Sequence, residues 1–386
     1  MFLSYDNKIS EENFLQQPAK STLSECFIPS DRMLFHGDNI DVMKFLLQKG
    51  YAGKIDLVYI DPPFATNNIF TIEDNRVSTI SHKKEGKTAY SDSLTGSAFL
   101  DFLRLRLILL RELLSEHGSI YLHIDYKIGH YVKIIMDEIF GMKNFRNDIT
   151  RIKCNPKNFL RSAYGNIKDM ILFYSKGDFP IWNDPREQLD EGDILARFNK
   201  IDKNGNRYTT IPLHAPGETK NGSTGMMWRG MFPPAGRHWR SDPKELDKLD
   251  SLGLIEWSKT GNPRRIIYAD DKVSEGKKIQ DIWSFKDSPY PSYPTEKNLD
   301  MLKLIIKASS NEDSLVLDCF SGSGTTLVAS EELHRHWIGI DKSEVAIKIC
   351  ENRLRQMQDI FFQGFRKYVF SSESIKSDCN VKKIIG

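Results

Sequence analysis

Residues 56–68 read DLVYIDPPFATNN, a short apolar run that meets an acid, two prolines and an aromatic residue: Asp61, Pro62, Pro63 and Phe64. Prolines lack an N–H and fix φ, so a strand stops where they begin. The same rigidity can hold the Asp61 carboxylate and the Phe64 ring over a pocket. Taken alone, Asp61 is equally a turn residue capping the next segment.

A second group lies more than 250 residues downstream. Residues 315–330, LVLDCFSGSGTTLVAS, place a Gly-rich turn between a strand pattern and a helix pattern. That junction is where doubly wound sheets hold nucleotide-like ligands, because glycine lets backbone approach the ligand closely. Asp318, Phe320, Ser321, Gly322, Ser323, Gly324, Thr325 and Thr326 are therefore candidate binding residues. The turn is not a phosphate-binding P-loop, since Thr325-Thr326 follows Gly324 where Lys is needed. It also lacks the third glycine of a dinucleotide fingerprint, because position 327 is Leu. Asp341 ends the next strand pattern, where an acid can accept hydrogen bonds from ribose hydroxyls. Asp341 could instead cap the adjoining helix, although Ser343 is better placed for that. A glycine turn with no pyrophosphate to neutralise, plus a ribose-binding acid, suits a nucleoside without phosphates, of which S-adenosylmethionine is the common one.

The pattern that must position these residues alternates short apolar runs with amphipathic segments. Strands are expected at 32–38, 56–60, 118–125, 169–176, 314–320 and 336–341. Helices are expected at 39–50, 97–118, 129–141, 298–309, from about 325, and to about 356. In the 97–118 helix Leu100, Leu103, Leu107, Leu110 and Leu114 form a core stripe, and Gly118 closes it. The alternation lapses over 177–290 and then returns, which reads as one mostly parallel α/β sheet interrupted by an insertion. The expected divisions are an arm (1–30), a first catalytic part (31–176), an insertion (177–290), a second catalytic part (291–360) and a tail (361–386).

Composition excludes several classes. Hydrophobic residues make up 40% and charged residues 27% of the 386, which describes an ordinary globular protein. Five scattered cysteines without CxxC spacing argue against a zinc site and against a disulfide framework, so no metal is expected. The N-terminal stretch is too polar for a signal peptide and no apolar run reaches 18 residues, so the expectation is a cytoplasmic protein without membrane association.

With both motifs in hand, the chain resembles the β-class DNA amino-methyltransferases, as found among Type II and Type III modification methylases. Asp61-Pro62-Pro63-Phe64 matches their catalytic D-P-P-[YFW] tetrapeptide, and Phe320 to Gly324 matches their F-x-G-x-G cofactor loop. Gly37-Asp38, TAYSD (88–92), the RLRLILLRELL helix, GSIYLHID, HYVKIIMDEIFG and YPTEK (293–297) come in family order. The resemblance implies a Rossmann-like S-adenosylmethionine-dependent methyltransferase fold, with permuted motif order and an inserted target-recognition domain. It implies that Asp38 contacts the cofactor's adenine, and that Thr295 and Lys297 lie near its methionine end. Asp61 and a Pro62 carbonyl would accept hydrogen bonds from adenine N6, with Phe64 stacked on a base flipped out of the duplex. DPP rather than SPP favours adenine N6 over cytosine N4 by family association. The alternatives are cytosine-N4 chemistry, a non-catalytic DNA-binding partner subunit, or an RNA or protein amine methyltransferase.

The implied partner is double-stranded DNA. Residues 151–290 carry 24 Lys and Arg against 19 Asp and Glu. Two acid-free windows stand out, one with Arg151, Lys153, Lys157 and Arg161, the other with Trp228, Arg229, Arg237, Trp239 and Arg240. Basic groups can neutralise phosphates while aromatics stack on displaced bases. The segment 65–92, directly after the catalytic motif, is expected to be a loop that closes over the base. The family allows a homodimer and a restriction endonuclease on a separate polypeptide, and the chain itself shows no nuclease motif.

Overall fold

The computed structural model describes residues 3–63, 69–73, 76–80, 87–91, 96–155, 162–287, 296–357, 364–371 and 383–384. Two compact units emerge, one combining Met1–Asp184 with Gln280–Gly386 and the other spanning Pro185–Ile279.

The first unit is built on a large sheet. Its principal strands are β1 (Arg32–His36), β2 (Ile55–Ile60), β3 (Leu114–Ile124), β4 (Phe145–Ile152), β5 (Lys168–Ser175), β6 (Leu315–Asp318), β7 (His336–Asp341) and β8 (Phe365–Ser371). Their order across the sheet is β8-β1-β7-β6-β2-β3-β5-β4. From β8 to β3 all neighbours are parallel. β5 runs antiparallel between β3 and β4. Central strands such as β2 are apolar on both faces, as a sheet covered by helices on each side requires.

The principal helices of this unit are α1 (Asn39–Leu46), α2 (Gly96–Leu113), α3 (Gly129–Phe140), α4 (Leu299–Ser309), α5 (Thr325–Glu332) and α6 (Glu344–Arg355). Leu100, Leu103, Leu107 and Leu110 of α2 are buried in the main core with Val132, Ile135 and Ile139 of α3. α4 packs over β2 and β3, and Tyr121 of β3 bonds Ser309 Oγ at its end, at 2.8 Å.

Several expectations are corrected. α2 stops at Leu113 and Gly118 lies inside β3, because Leu114 pairs with Ile55 of β2. A Cβ on Gly118 would sit 2.8 Å from Ile55 O, so this glycine admits a close strand crossing rather than ending a helix. β4, absent from the expected strands, takes in the start of the first basic window and carries Arg151. Residues 365–371, expected as tail, form β8, whose Phe365 and Tyr368 are fully buried. Residues 65–92, expected as a loop, contain a three-stranded antiparallel sheet of Ile69–Glu73, Arg76–Ile80 and Lys87–Ser91. The arm is also tied down. Lys44 of α1 donates to Phe14 O and Gln17 O, and Asp41 accepts from Lys20 N and Ser21 N.

The second unit holds a four-stranded antiparallel sheet and its own core of Leu213, Trp228, Trp239, Leu246 and Leu249. No helix among the described residues is long and apolar enough to cross a membrane.

Candidate active site

Four neighbouring parallel strands, β1, β7, β6 and β2, end in or just before an acid: Asp38, Asp341, Asp318 and Asp61. Registers of His36 with Asp341 and Asp318 with Gly339 set these ends in a row along the carboxyl edge of the sheet. Ligands of open α/β sheets bind at that edge.

Asp318 is 2% exposed and anchors the glycine loop. Its Oδ1 accepts from Phe320 N at 2.9 Å and its Oδ2 from Thr326 Oγ1 at 2.6 Å, tying β6 to the first turn of α5. Burial, with Asp61 and Asp341 nearby, pushes this carboxyl up to about 7 against those hydrogen bonds. Between the two anchors the chain turns at Gly322 (φ 51°) and Gly324 (φ 80°), in the left-handed region. A Cβ on Gly324 would also collide with Cys350 Sγ of α6. Arg353 braces the loop from behind, donating to Ser323 Oγ and Thr325 Oγ1 at 3.0 Å each. Ser321 Oγ is buried in this turn with no partner among the described residues.

Asp341 closes the other side of the turn. Its Oδ2 accepts from Gly322 N and its Oδ1 from Ser343 N, both at 2.8 Å. Burial pushes its carboxyl up. Ser343 caps α6, as its position suggested. A carboxylate can accept further hydrogen bonds, so an acid and an unpartnered buried hydroxyl stand at this turn where a ribose could be held.

Asp38 caps α1, accepting from Ile40 N at 3.0 Å. Asn39 instead bridges strand ends. It donates to Cys319 O at 2.8 Å and accepts from Arg106 Nε at 2.7 Å. Arg106, whose guanidinium burial lowers to about 10, lies 3.5 Å from the Phe102 ring centroid, and Phe102 in turn leans on Phe320 at 6.0 Å. Neither Asn39 nor Arg106 stands out in the sequence, since a buried Arg inside an apolar helix stripe looks like solvated surface.

At the β2 end, Pro62 is buried and Asp61 half-buried. Asp61 Oδ2 pairs with Lys297 Nζ at 2.9 Å, while Asp61 Oδ1 is buried with no hydrogen-bond partner among the described residues. Lys297, expected beside a cofactor, thus lies on the acid of the tetrapeptide. Phe64, Thr295, Lys157 and Arg161 lie outside the described residues. Beneath Asp61 is a buried polar group that no sequence pattern marks: Tyr59, His123 and Asp169.

Three residues expected on DNA are not available to it. Trp228 and Trp239 are each 2% exposed, packed edge to face in the second unit's core, and their Nε1 groups donate to Asp247 Oδ1 and Met226 O. Arg151 is fully buried because β4 carries it inward, where it donates to Phe285 O and pairs with Asp287. Lys153 Nζ is held by Asp169 Oδ1 at 2.6 Å. Arg229 is exposed but pairs with Asp250 at 2.5 Å. Arg237 and Arg240 are exposed, the former 3.2 Å from His214 Nδ1 and the latter donating to Pro212 O.

A Rossmann-like sheet with an acid-ended strand row, a buried glycine turn and a DPP corner defines a class, and comparison with known proteins fixes it. Residues 55–352 match the DNA methylase family model that covers N6 and N4 enzymes, and the chain belongs to that family. It is 41% identical over 366 residues to the Type II methyltransferase M.EcaI of Enterobacter cloacae, covering 91% of this chain and 77% of the relative. It is 30% identical to the StyLTI Mod subunit of Salmonella typhimurium, a Type III restriction-modification enzyme, covering 77% of this chain and 49% of that one. The chain thus spans about half the length of that Mod subunit. Among solved structures it is similar to M1.HpyAVI, at 16% identity and a TM-score of 0.44, covering 83% of this chain and 98% of that one. It is also similar to the cytosine-N4-specific PvuII methyltransferase, at 14% identity and a TM-score of 0.45, covering 88% and 92%.

Proposed function

We propose that the chain transfers a methyl group from S-adenosylmethionine to the N6 amine of an adenine flipped out of a specific DNA sequence. The observation that carries this is Asp61. One carboxylate oxygen is tied to Lys297 and the other is a buried acceptor without a donor among the described residues. Leaving such a group unsatisfied costs about 1–3 kcal/mol, which a substrate N–H would recover. An exocyclic amine is a poor nucleophile because its lone pair is delocalised into the ring. Hydrogen bonds from N–H to Asp61 Oδ1 and to the Pro62 carbonyl would draw the nitrogen toward tetrahedral geometry and free that pair. The prolines fix where both acceptors point.

The glycine turn fits the cofactor: Asp341 would hold the ribose hydroxyls, Ser321 Oγ would gain a partner, and Asp38 lies one strand further along the edge. When bound, S-adenosylmethionine supplies the electrophilic methyl. Excluding water and holding the amine then fall to the chain's own residues. Family membership supports DNA as substrate. Adenine rests on DPP in place of SPP, since the Asp61 acceptor would serve cytosine N4 equally well.

Expression in a methylation-free host, with modified bases read from its DNA, tests the whole proposal. N6-methyladenine at one sequence is expected, and Asp61→Ala abolishes it. N4-methylcytosine would overturn the base assignment. Unmodified DNA from cells holding soluble, cofactor-binding protein would overturn methyl transfer itself.

A further inference from the structure

The deepest polar residues beneath Asp61 take no part in holding the amine or the cofactor. Tyr59, two residues before Asp61 on β2, is 1% exposed, and its hydroxyl lies 3.1 Å from His123 Nδ1. His123 of β3 is fully buried, with Nε2 3.2 Å from Asp169 Oδ2. Asp169, the second residue of β5, is 2% exposed and takes Lys153 Nζ, just past β4, at 2.6 Å and Arg151 of β4 at 3.6 Å. Side chains two apart on a strand share a face, so Tyr59 points to the same side as a residue at position 61. The β2–β3 register pairs Ile60 with Leu122, and one further step brings His123 alongside Asp61.

Neighbouring charges fix where the protons sit. Burial favours a neutral Asp169, but hydrogen bonds from His123 and Lys153, together with the Lys153 charge, outweigh it and hold the carboxyl well below the usual range. Burial, helped by Lys297, lowers His123, with Asp169 and Asp61 opposing. An ionised Asp169 can only accept, so the neutral imidazole carries its hydrogen on Nε2 and presents Nδ1 as acceptor to the Tyr59 hydroxyl. The result is a one-directional chain, Tyr59 O–H to His123 to Asp169, across three adjacent strands.

We infer that Tyr59, His123 and Asp169 are positioning residues for the catalytic corner: they lock the end of β2 against β3 and β5, so that Asp61 Oδ1 keeps its aim. A misplacement of about 1 Å at a reacting centre can cost on the order of a hundredfold in rate. A buried hydrogen-bonded chain is a rigid way to prevent it. The inference rests on Asp61 being the amine's acceptor.

The test uses the full chain, S-adenosylmethionine and genomic DNA from the methylation-free host. The variants are Tyr59→Phe, His123→Leu, His123→Gln and Asp61→Ala. Tyr59→Phe and His123→Leu are expected to lower kcat about tenfold or more while cofactor affinity stays within about twofold. His123→Gln is expected to keep most of the rate, because its amide offers a donor to Asp169 and an acceptor to Tyr59. Normal kcat in Tyr59→Phe would overturn the inference. So would a loss of cofactor binding that matches the loss of rate, or His123→Gln as slow as His123→Leu. Tyr59→Phe removes one hydroxyl, so the test stands even if His123→Leu fails to fold. Asp61→Ala separates the two levels. If it still turns over, the reading of Asp61 falls; if it is dead while Tyr59→Phe is normal, only the positioning chain falls.

Discussion

Asp61 and Asp318 end adjacent strands with opposite hydrogen-bonding situations. Asp318 has both oxygens filled by its own loop, whereas Asp61 keeps one empty among the described residues. The first is therefore a structural acid and the second a waiting one. Asp318 also leaves a mark on stability. Its carboxyl rises from 3.8 to about 7 on folding, so its favourable contribution is fully present below about 3.8 and is lost as pH rises through about 7. Asp318→Asn removes that loss and keeps an acceptor for Phe320 N. The melting temperature of the ligand-free variant is expected to gain on wild type by several degrees between pH 5 and pH 8, measured by differential scanning fluorimetry. A constant difference would show that Asp318 is not protonated in the fold.

The glycine turn works as an element because two constraints coincide at Gly324, a left-handed φ and contact with Cys350. Gly324→Ala must bear both, each costing on the order of 1–3 kcal/mol. Cofactor affinity measured by calorimetry is expected to fall at least about tenfold, the equivalent of 1.4 kcal/mol. The strand–turn–helix setting of this loop was legible in the sequence because Asp318 to Thr326 lie within nine consecutive residues and local pattern is enough. Asp61 was legible for the same reason. Arg151 was not. Its basic neighbours suggested a surface window, but β4 is an inner-facing strand beside β5, and Arg151 turns inward onto Phe285 O and Asp287, more than 130 residues away. Trp228 and Trp239 misled similarly: a tryptophan beside arginines looks like a stacking platform until Leu246 and Leu249 of the helix that follows close over it. The places of Asn39 and His123, and the pairing of Lys297 with Asp61, depend on partners 46 or more residues away along the chain.

At the scale of the whole chain the net charge is only +2, so attraction to DNA depends on where cations are free to act. Burial removes Arg151 from that role and Lys153 is held by Asp169, while Arg229 is exposed in a surface pair with Asp250 and Arg237 and Arg240 are exposed. Arg237→Ala with Arg240→Ala is expected to weaken duplex binding roughly uniformly across sequences. The slope of log affinity against log salt should shrink by about 2, read by fluorescence anisotropy. An unchanged slope would place the phosphate contacts elsewhere. The order of strands across the sheet carries a different consequence, for biosynthesis. β2 pairs with β6 on one side, yet β6 leaves the ribosome some 255 residues later. At typical translation rates the nascent β2 therefore keeps a bare apolar edge for a time on the order of tens of seconds. The central slot of the sheet is filled late, by β6, which leads into the glycine turn, and then by β7. Binding competence can thus arise only after nearly all of the chain has been made, and a stalled or truncated product would display an open sheet edge to chaperones rather than a half-working enzyme.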